Sequence, residues 1–292
     1  MIDTLPPDTL FAQDWWWEAI CPPGNRRVLQ TENGSVWNIA VVRRLKHFKF
    51  YSMPPLTQHS GPYLTDRRDF IQLLSLIPRR QSLCLNIGFE LNDKETGVAE
   101  AQGIRVVKRV THRLEDLSDL TKVYQGVKSP RQRQIRKAER HLAAIQIEDI
   151  EPLIKLQEET FRRRGIKNPY PSQTVRQLYA AVKAHRAGCL IALEDTQHQV
   201  MACGLFVHDD RICYSLTHGF HKLGQDLGAG SLLQWEGIKY AALKGLIFDF
   251  EGSNIESIAR FNESFGATPV TYSRLERERT FFHMINLLKK RL

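Results

Sequence analysis

Near the end of the chain, the stretch QDLGAGSLLQWEGIKYAALKG, Gln225 to Gly245, places Gly228 and Gly230 directly ahead of a long helical pattern. A strand-like run, ICYSLTHG, precedes it and another, GLIFDFEG, follows. Strand, glycine-rich turn, helix and strand in that order require a mixed α/β layer. Glycine inside a helix costs about 1 kcal/mol relative to alanine, so the two glycines belong at the helix entrance. The first N–H groups of a helix lack intrahelical acceptors and its dipole is positive there. Missing side chains then let an anion approach the backbone closely. Along the helix Leu232, Trp235, Ile238 and Ala242 form an apolar side, with Gln234, Glu236, Tyr240 and Lys244 largely opposite. The spacing Gln225-x-x-Gly228-x-Gly230 fits neither the G-x-G-x-x-G fingerprint nor the P-loop, which needs a Lys-Ser/Thr pair.

The rest of the chain mixes strands and helices in the same way. A helix is predicted over Thr9–Ile20, with Trp15, Trp16 and Trp17 as packing residues. The Asn33-Gly34 pair between RRVLQTE and SVWNIAVVRRL predicts a hairpin. FKFYSMPPL is a strand broken by Pro54 and Pro55. A helix from Asp66 and the strands QSLCLNIGF and GIRVVKRVTHRL complete a first half with a largely antiparallel sheet. In the second half, helices are predicted at 150–164 and 172–186 and strands at CLIALE and VMACGLFVH. After the glycine turn come a helix at IESIARFNESFG, a strand at PVTYSRLE and a final basic helix. Fold class is therefore α/β with α+β layering and mixed, largely antiparallel sheets. The expected organisation is an N-terminal domain over 1–128, a connecting helix over 129–145 and a C-terminal domain over 146–292.

The 292 residues suffice for two domains of about 150 each. No apolar run approaches the roughly 20 residues of a membrane span, and the N-terminus lacks a secretion signal, so a cytoplasmic protein is expected. Five cysteines without close pairs read as reduced thiols, and no cluster has metal-ligand spacing. The net charge of +9 concentrates between Lys122 and His141, which hold seven Lys or Arg and one acid. Ser129 and Pro130 open a helix there. Its Ile135, Ala138 and Leu142 form an apolar stripe, and Arg133, Arg136, Lys137 and Arg140 share another face. Such a stripe is either a solvated surface or a contact for a phosphate-bearing substrate such as tRNA.

Gln225-x-x-Gly228-x-Gly230 resembles the Q/R-x-x-G-x-G/A pyrophosphate loop of the GNAT acyltransferases. Beyond it, Asp249, Phe250, Gly252, Ser253, Ile255, Ile258, Arg260, Phe261, Phe265 and Gly266 follow the D-F-x-G-S and I-x-x-I-x-R-F-K-x-x-F-G pattern of the Fem-like branch. MPPLTQHSGPYL, RQRQIRKAERH and EETFRRRG agree, so the resemblance to Fem-type peptidyltransferases and related acetyltransferases covers most of the chain. It implies tandem GNAT-like domains and attack of an amine, from a small molecule or a peptide, on an activated acyl carbon. It further implies that Gln225, Gly228, Ala229, Gly230 and Ser231 hold the donor pyrophosphate through backbone N–H groups. The donor it implies is an acyl-CoA, or alternatively an aminoacyl-tRNA, for which the long helical arm of many Fem proteins is missing here.

GNAT enzymes often carry a tyrosine acid on the helix after the fifth strand, where this chain has Phe261 and Asn262. The acid/base candidates are therefore Glu251, at the passage from strand to loop, and His218, at a strand end; Asp249 and Tyr272 are further polar groups nearby. A structural reading stands beside each: Asp249 as a hydrogen-bonded sheet-end residue, His218 as a satisfied core histidine. Gly228→Val is expected to weaken donor binding strongly with the fold intact. A non-catalytic module binding a nucleotide or a partner is the alternative from another class.

Overall fold

The computed structural model describes residues 9–45, 48–252 and 255–278. The final basic helix and Ser253 lie outside the described residues. The chain divides into two compact units, one up to Arg109 and again from Thr271, the other Val110–Val270.

The first unit opens with a 3-10 turn at Leu10–Ala12 and α1, Asp14–Ile20. It continues with β1 (Arg26–Gln30), β2 (Val36–Leu45), β3 (Phe48–Ser52), α2 (Asp69–Ser75), β4 (Ser82–Ile87) and α3 (Asp93–Ala101), and enters β5 (Arg105–Leu114). The second unit holds the rest of β5, then α4 (Leu120–Gly126), α5 (Ser129–Glu139), β6 (Ala143–Ile147), α6 (Glu151–Arg163), α7 (Ser172–Ala184), β7 (Gly188–Glu194), β8 (Val200–His208) and β9 (Ile212–Phe220). There follow α8 (Lys222–Leu227), α9 (Ala229–Leu243), β10 (Ile247–Asp249), α10 (Glu256–Glu263) and the start of β11 (Thr268–Arg277).

In the first unit the strand order is β1-β2-β3-β4-β11, parallel only between β3 and β4. The Asn33-Gly34 hairpin forms as predicted, with Thr31 N–H bonded to Ser35 O at 3.0 Å. Buried Asp69 at the start of α2 fixes that turn, accepting from Ser35 Oγ at 2.7 Å and Thr31 Oγ1 at 3.2 Å. Trp16, Trp17 and Trp37 are fully buried with Phe70 and Leu85. Tyr272 falls in this unit and is buried.

In the second unit the order is β5-β10-β9-β8-β7-β6, with β10 and β9 the parallel pair. Leu232, Trp235 and Ile238 of α9 and Ile135 and Ala138 of α5 share its core with Phe206 and Phe248. This packing moves the boundary from the expected 128/129 to within β5. Residues 129–139 are a core helix of the second unit, and Tyr124 of α4 lies with its ring centroid 5.0 Å from that of Trp235. Residues from Thr271 belong to the first unit because Ser273–Arg277 of β11 pair with β4.

Four elements carry weak sequence signals. For α3 the signal is the Asn92–Glu95 capping box, not an apolar stripe. Short α4 buries no residue, β6 is a mostly exposed edge strand, and α8 has only six residues.

At the end of β10, Asp249 is fully buried. It accepts from Arg113 Nε at 2.7 Å, Thr111 Oγ1 at 2.5 Å and Glu251 N–H at 2.8 Å. Burial opposes the Arg113 charge, and the Asp249 carboxylate more than restores it, holding the guanidinium above its ordinary pKa. Asp249 therefore takes the structural reading. Asp249→Ala strands a buried guanidinium, and a loss of about 3–5 kcal/mol is expected. Urea unfolding of the variant measures it; an unchanged midpoint with an unchanged slope contradicts this role.

Candidate active site

The cleft of the second unit begins where two strands stop pairing. β9 and β10 run side by side only as far as Tyr214 and Asp249. The next N–H, of Phe250, donates to His112 O at 2.9 Å, so the chain after β10 follows the β5 edge. β9 continues alone on that side and bulges: Phe206 faces Ser215 and Leu205 faces Thr217, leaving Leu216 as the extra residue. The resulting cleft, about 610 Å³, is walled by β9, the α8–α9 turn, α5, α10 and the end of α6. Gln225, Gly228, Gly230, Ser231 and His218 line it together.

The glycine turn sits where the sequence placed it. Gly228 ends α8 and begins α9, at a φ of +89° that only glycine adopts readily. No side chain caps α9, so its positive end is open to a ligand. Gly228 N–H donates to Gln225 O at 3.0 Å and Ser231 N–H to Gly228 O at 2.9 Å. That leaves Ala229 and Gly230 as the N–H groups of the first turn for an anion. Ala229 is fully buried and does not line the cleft, whereas Gly230 does; Gln225 is exposed.

The expectation for Gly228 needs correction. A Cβ there would lie 2.9 Å from Gln134 O of α5, so a bulky residue disturbs the α5–α9 contact as well as any ligand. Gly230 is the cleaner probe: a Cβ there meets only the Phe220 ring, at 3.6 Å.

His218 is inserted between Phe206 and Phe220, with ring centroids 5.8 and 6.2 Å away. Its Nε2 is 2.8 Å from Ser215 Oγ and 3.2 Å from Gln234 Nε2, and Ser215 Oγ donates to Gln234 Oε1 at 2.9 Å. Gln234, assigned from the helical pattern to the polar side of α9, is thus buried and part of the site. Burial lowers the His218 pKa to about 4, so the ring is neutral at neutral pH.

Glu251 is not among the residues lining the cleft, although its neighbour Phe250 is. It holds a left-handed φ of +64°, and its Oε1 is buried without a hydrogen-bond partner. Burial, and then the Asp249 carboxylate, push its pKa well above the ordinary range. Tyr170, on the cleft wall, is raised by its own burial and by Glu251.

The basic quartet lies elsewhere. Arg133, Arg136, Lys137 and Arg140 are on the exposed face of α5, none lines the cleft, and Lys137 Nζ donates to Asp226 O at 2.8 Å. Arg131 enters instead. It precedes Ile135 and Ala138 by four and seven residues, so the apolar stripe itself carried the signal that this arginine points inward. Asn262 of α10 was noted only as the residue standing in place of a tyrosine. It is 3% exposed, lines the cleft, and leaves Nδ2 without an acceptor.

Residues 129–256 match the acetyltransferase (GNAT) domain family. Among solved structures the chain is similar to FemX, with a TM-score of 0.67 and 11% identity over 90% of this chain and 91% of that one. It is similar to L-PGS from Bacillus licheniformis, with a TM-score of 0.58 and 12% identity over 92% and 89%. A tandem GNAT protein from the clavulanic acid biosynthesis pathway gives a TM-score of 0.52 and 11% identity over 88% and 85%. These likenesses are of fold, and they bear out the mixed α/β class and the Fem-like GNAT resemblance. No curated protein matches the sequence.

The buried histidine sets a pH dependence. With its folded-state pKa depressed to about 4, the stability His218 contributes is present above the unfolded value of about 6.5. It is lost as pH falls through the window down to about 4, because the unfolded chain takes up the proton first. Each pKa unit in that window is worth about 1.4 kcal/mol. His218→Gln is expected to flatten the fall in unfolding free energy between those pH values; equal slopes for both proteins refute it.

Proposed function

With a GNAT domain at residues 129–256, we propose that the protein is an N-acyltransferase moving an acyl group from acyl-CoA to an amine. The observation that carries this reading is the convergence of the uncapped α9 entrance and His218 on one cleft that opens where β9 and β10 part. The donor pyrophosphate lies at the first turn of α9, on the N–H groups of Ala229 and Gly230, with Gln225 at its edge. The acyl end reaches the unpaired stretch of β9 around the Leu216 bulge.

The amine attacks the acyl carbon, a C–N bond forms, the C–S bond breaks, and the thiolate leaves with a proton. Held reactants and oriented backbone dipoles supply most of the acceleration. His218, neutral and fixed by Ser215 and Gln234, accepts from Gln234 Nε2 through its Nε2, so its proton sits on Nδ1 and the ring acts toward the cleft as a hydrogen-bond donor. Glu251 does not line the cleft, so in its ionised form, whose population rises with pH because its pKa is raised, it takes the ammonium proton through an intervening water. An acyl-transfer rate that climbs above the ordinary carboxylate range follows from this assignment.

Aminoacyl-tRNA is the second reading. It rests on the exposed arginines and lysine of α5, a face suited to a phosphate backbone. Reversing Arg136 and Lys137 together is expected to weaken tRNA binding and flatten its salt dependence only on this reading. A non-catalytic module is distinguished from both by binding donor without turnover.

Two variants test the main reading. Gly230→Asp places a carboxylate in the donor turn, where the Cβ itself meets no clash, and CoA affinity is expected to fall by roughly 10-fold or more, since losing a hydrogen bond to a charged group costs about 1.5–3 kcal/mol. Full affinity in the folded variant, by calorimetry, rejects the pyrophosphate site. Glu251→Gln is expected to lower kcat by about 100-fold or more while raising stability at neutral pH, because a buried ionisable group is removed. An unaltered kcat excludes Glu251 as the base.

A further inference from the structure

Arg131 is held in a way that its own protein does not complete. Its Nε donates to Ser264 Oγ at 2.8 Å, and its Nη1 to Gln134 Oε1 at 2.5 Å and Ser231 Oγ at 2.7 Å. The guanidinium lies 4.1 Å from the centroid of the Phe261 ring and 5.5 Å from that of Phe265. These contacts fix its plane from α10 on one side and α9 on the other. Nη2 makes no hydrogen bond among the described residues, and Arg131 lines the cleft.

The charge has no counter-ion. No carboxylate lies within ion-pair distance of Arg131 among the described residues, and the cleft wall contains neither aspartate nor glutamate. Burial pulls its pKa down from the ordinary value, which measures how poorly the surroundings support the cation. The guanidinium also touches Ser231, in the first turn of the 15-residue α9, where the helix dipole is positive. A cation beside the positive end of a helix is unfavourable in the empty protein, and an anion reverses the sign of both terms.

Asn262 gives an independent indication. It is 3% exposed, lines the same cleft, and its Nδ2 finds no acceptor, which is costly for a buried donor. The unsatisfied side-chain groups of Arg131 and Asn262 and the open end of α9 are all donors. The missing partner is therefore a group rich in acceptor oxygens and negatively charged. A phosphate, with oxygens facing several directions, can engage donors from α5, α9 and α10 together; a carboxylate has two oxygens in one plane.

We propose that Arg131 and Asn262 form, with the first turn of α9, a phosphate receptor in which Arg131 supplies the charge and selects phosphate-bearing donors over phosphate-free thioesters. The proposal rests on the reading of the α9 turn as a donor site, and adds a residue outside the glycine motif on which that selectivity depends.

The test is calorimetry of the full chain with CoA, inorganic pyrophosphate and pantetheine, at two salt concentrations, for the wild type, Arg131→Gln, Arg131→Lys and Asn262→Ala. Arg131→Gln is expected to weaken CoA and pyrophosphate binding by ~10-fold or more and to reduce their salt dependence. Arg131→Lys, which keeps the charge and loses the fork, should fall between, Asn262→Ala should weaken both ligands several-fold, and pantetheine binding should be the same in all four proteins. Arg131→Gln that stays folded by thermal unfolding and binds CoA as the wild type does overturns the proposal and leaves the donor reading standing. Pyrophosphate binding that depends on Arg131, in a protein with no CoA affinity, supports the receptor and removes acyl-CoA. Wild-type protein that binds neither ligand overturns both. If Arg131→Gln does not fold, Arg131→Lys and Asn262→Ala decide: two folded variants with wild-type affinity for CoA overturn the receptor.

Discussion

The second unit is organised around one buried ion pair. Asp249 ends a strand of only three residues, and it is held by Arg113 and Thr111 of β5. An isolated carboxylate in that position would be prohibitively costly, and removing either partner strands the other. Because both anchors lie on β5, the chain leaving β10 follows that edge, and β9 loses its neighbour beyond Tyr214. The cleft is the geometric consequence: a parallel pair fastened from one side opens on the other. The same carboxylate accepts the Glu251 N–H, which holds Glu251 in its left-handed turn. Sheet closure and placement of the proposed base thus depend on one group.

Much of this architecture was legible in the sequence because it rests on local rules. Strand, glycine turn, helix and strand appear between Ile212 and Asp249, and Ile135 and Ala138 of the stripe are the buried face of α5, with Leu142 buried just beyond its end. Elements without a periodic signal were not legible. α3 is set by one capping box, and β6 is an edge strand with little to bury. The destination of β11 was hidden for a different reason: its pattern says strand, but only long-range pairing with β4 says which sheet.

The site divides along the same line. Gly228 was found for its spacing, yet the sequence could not show that the glycine also lets α5 approach within contact of the turn. Glu251 was placed correctly at a strand end, while its burial depends on what packs over it. The basic helix is the clearest case. Exposed charge is conspicuous in a sequence, so Arg133, Arg136, Lys137 and Arg140 stood out. The arginine of α5 that reaches the cleft is Arg131, on the apolar stripe, where an isolated charge conflicts with its neighbours; Arg164, beyond α6, also lines it. Local conflict of this kind concentrates at functional sites, and here it locates the site better than the abundance of charge does.

The titrating groups near the cleft have opposite pH linkages, and their combination bears on what the cleft accepts. His218 is depressed, so it becomes unfavourable to the fold as pH drops below about 6.5. Glu251 is raised, so its contribution is present below the ordinary carboxylate pKa and is lost as pH rises through the folded value. Burial disfavours the charged form of both groups, while Arg131 retains its proton because guanidinium is effectively always charged in proteins. The cleft lining is then electrically one-sided: Arg131, Arg164 and a helix entrance, with no carboxylate among the lining residues. An ionised Glu251 would partly cancel that field, and burial disfavours that form. Ionising Glu251 for catalysis is correspondingly harder in the empty cleft than beside an incoming ammonium, whose charge favours the carboxylate form. On the proposed acyl-transfer reading, proton acceptance is coupled to arrival of the amine: burial favours the neutral form of Glu251, and an incoming ammonium favours its carboxylate.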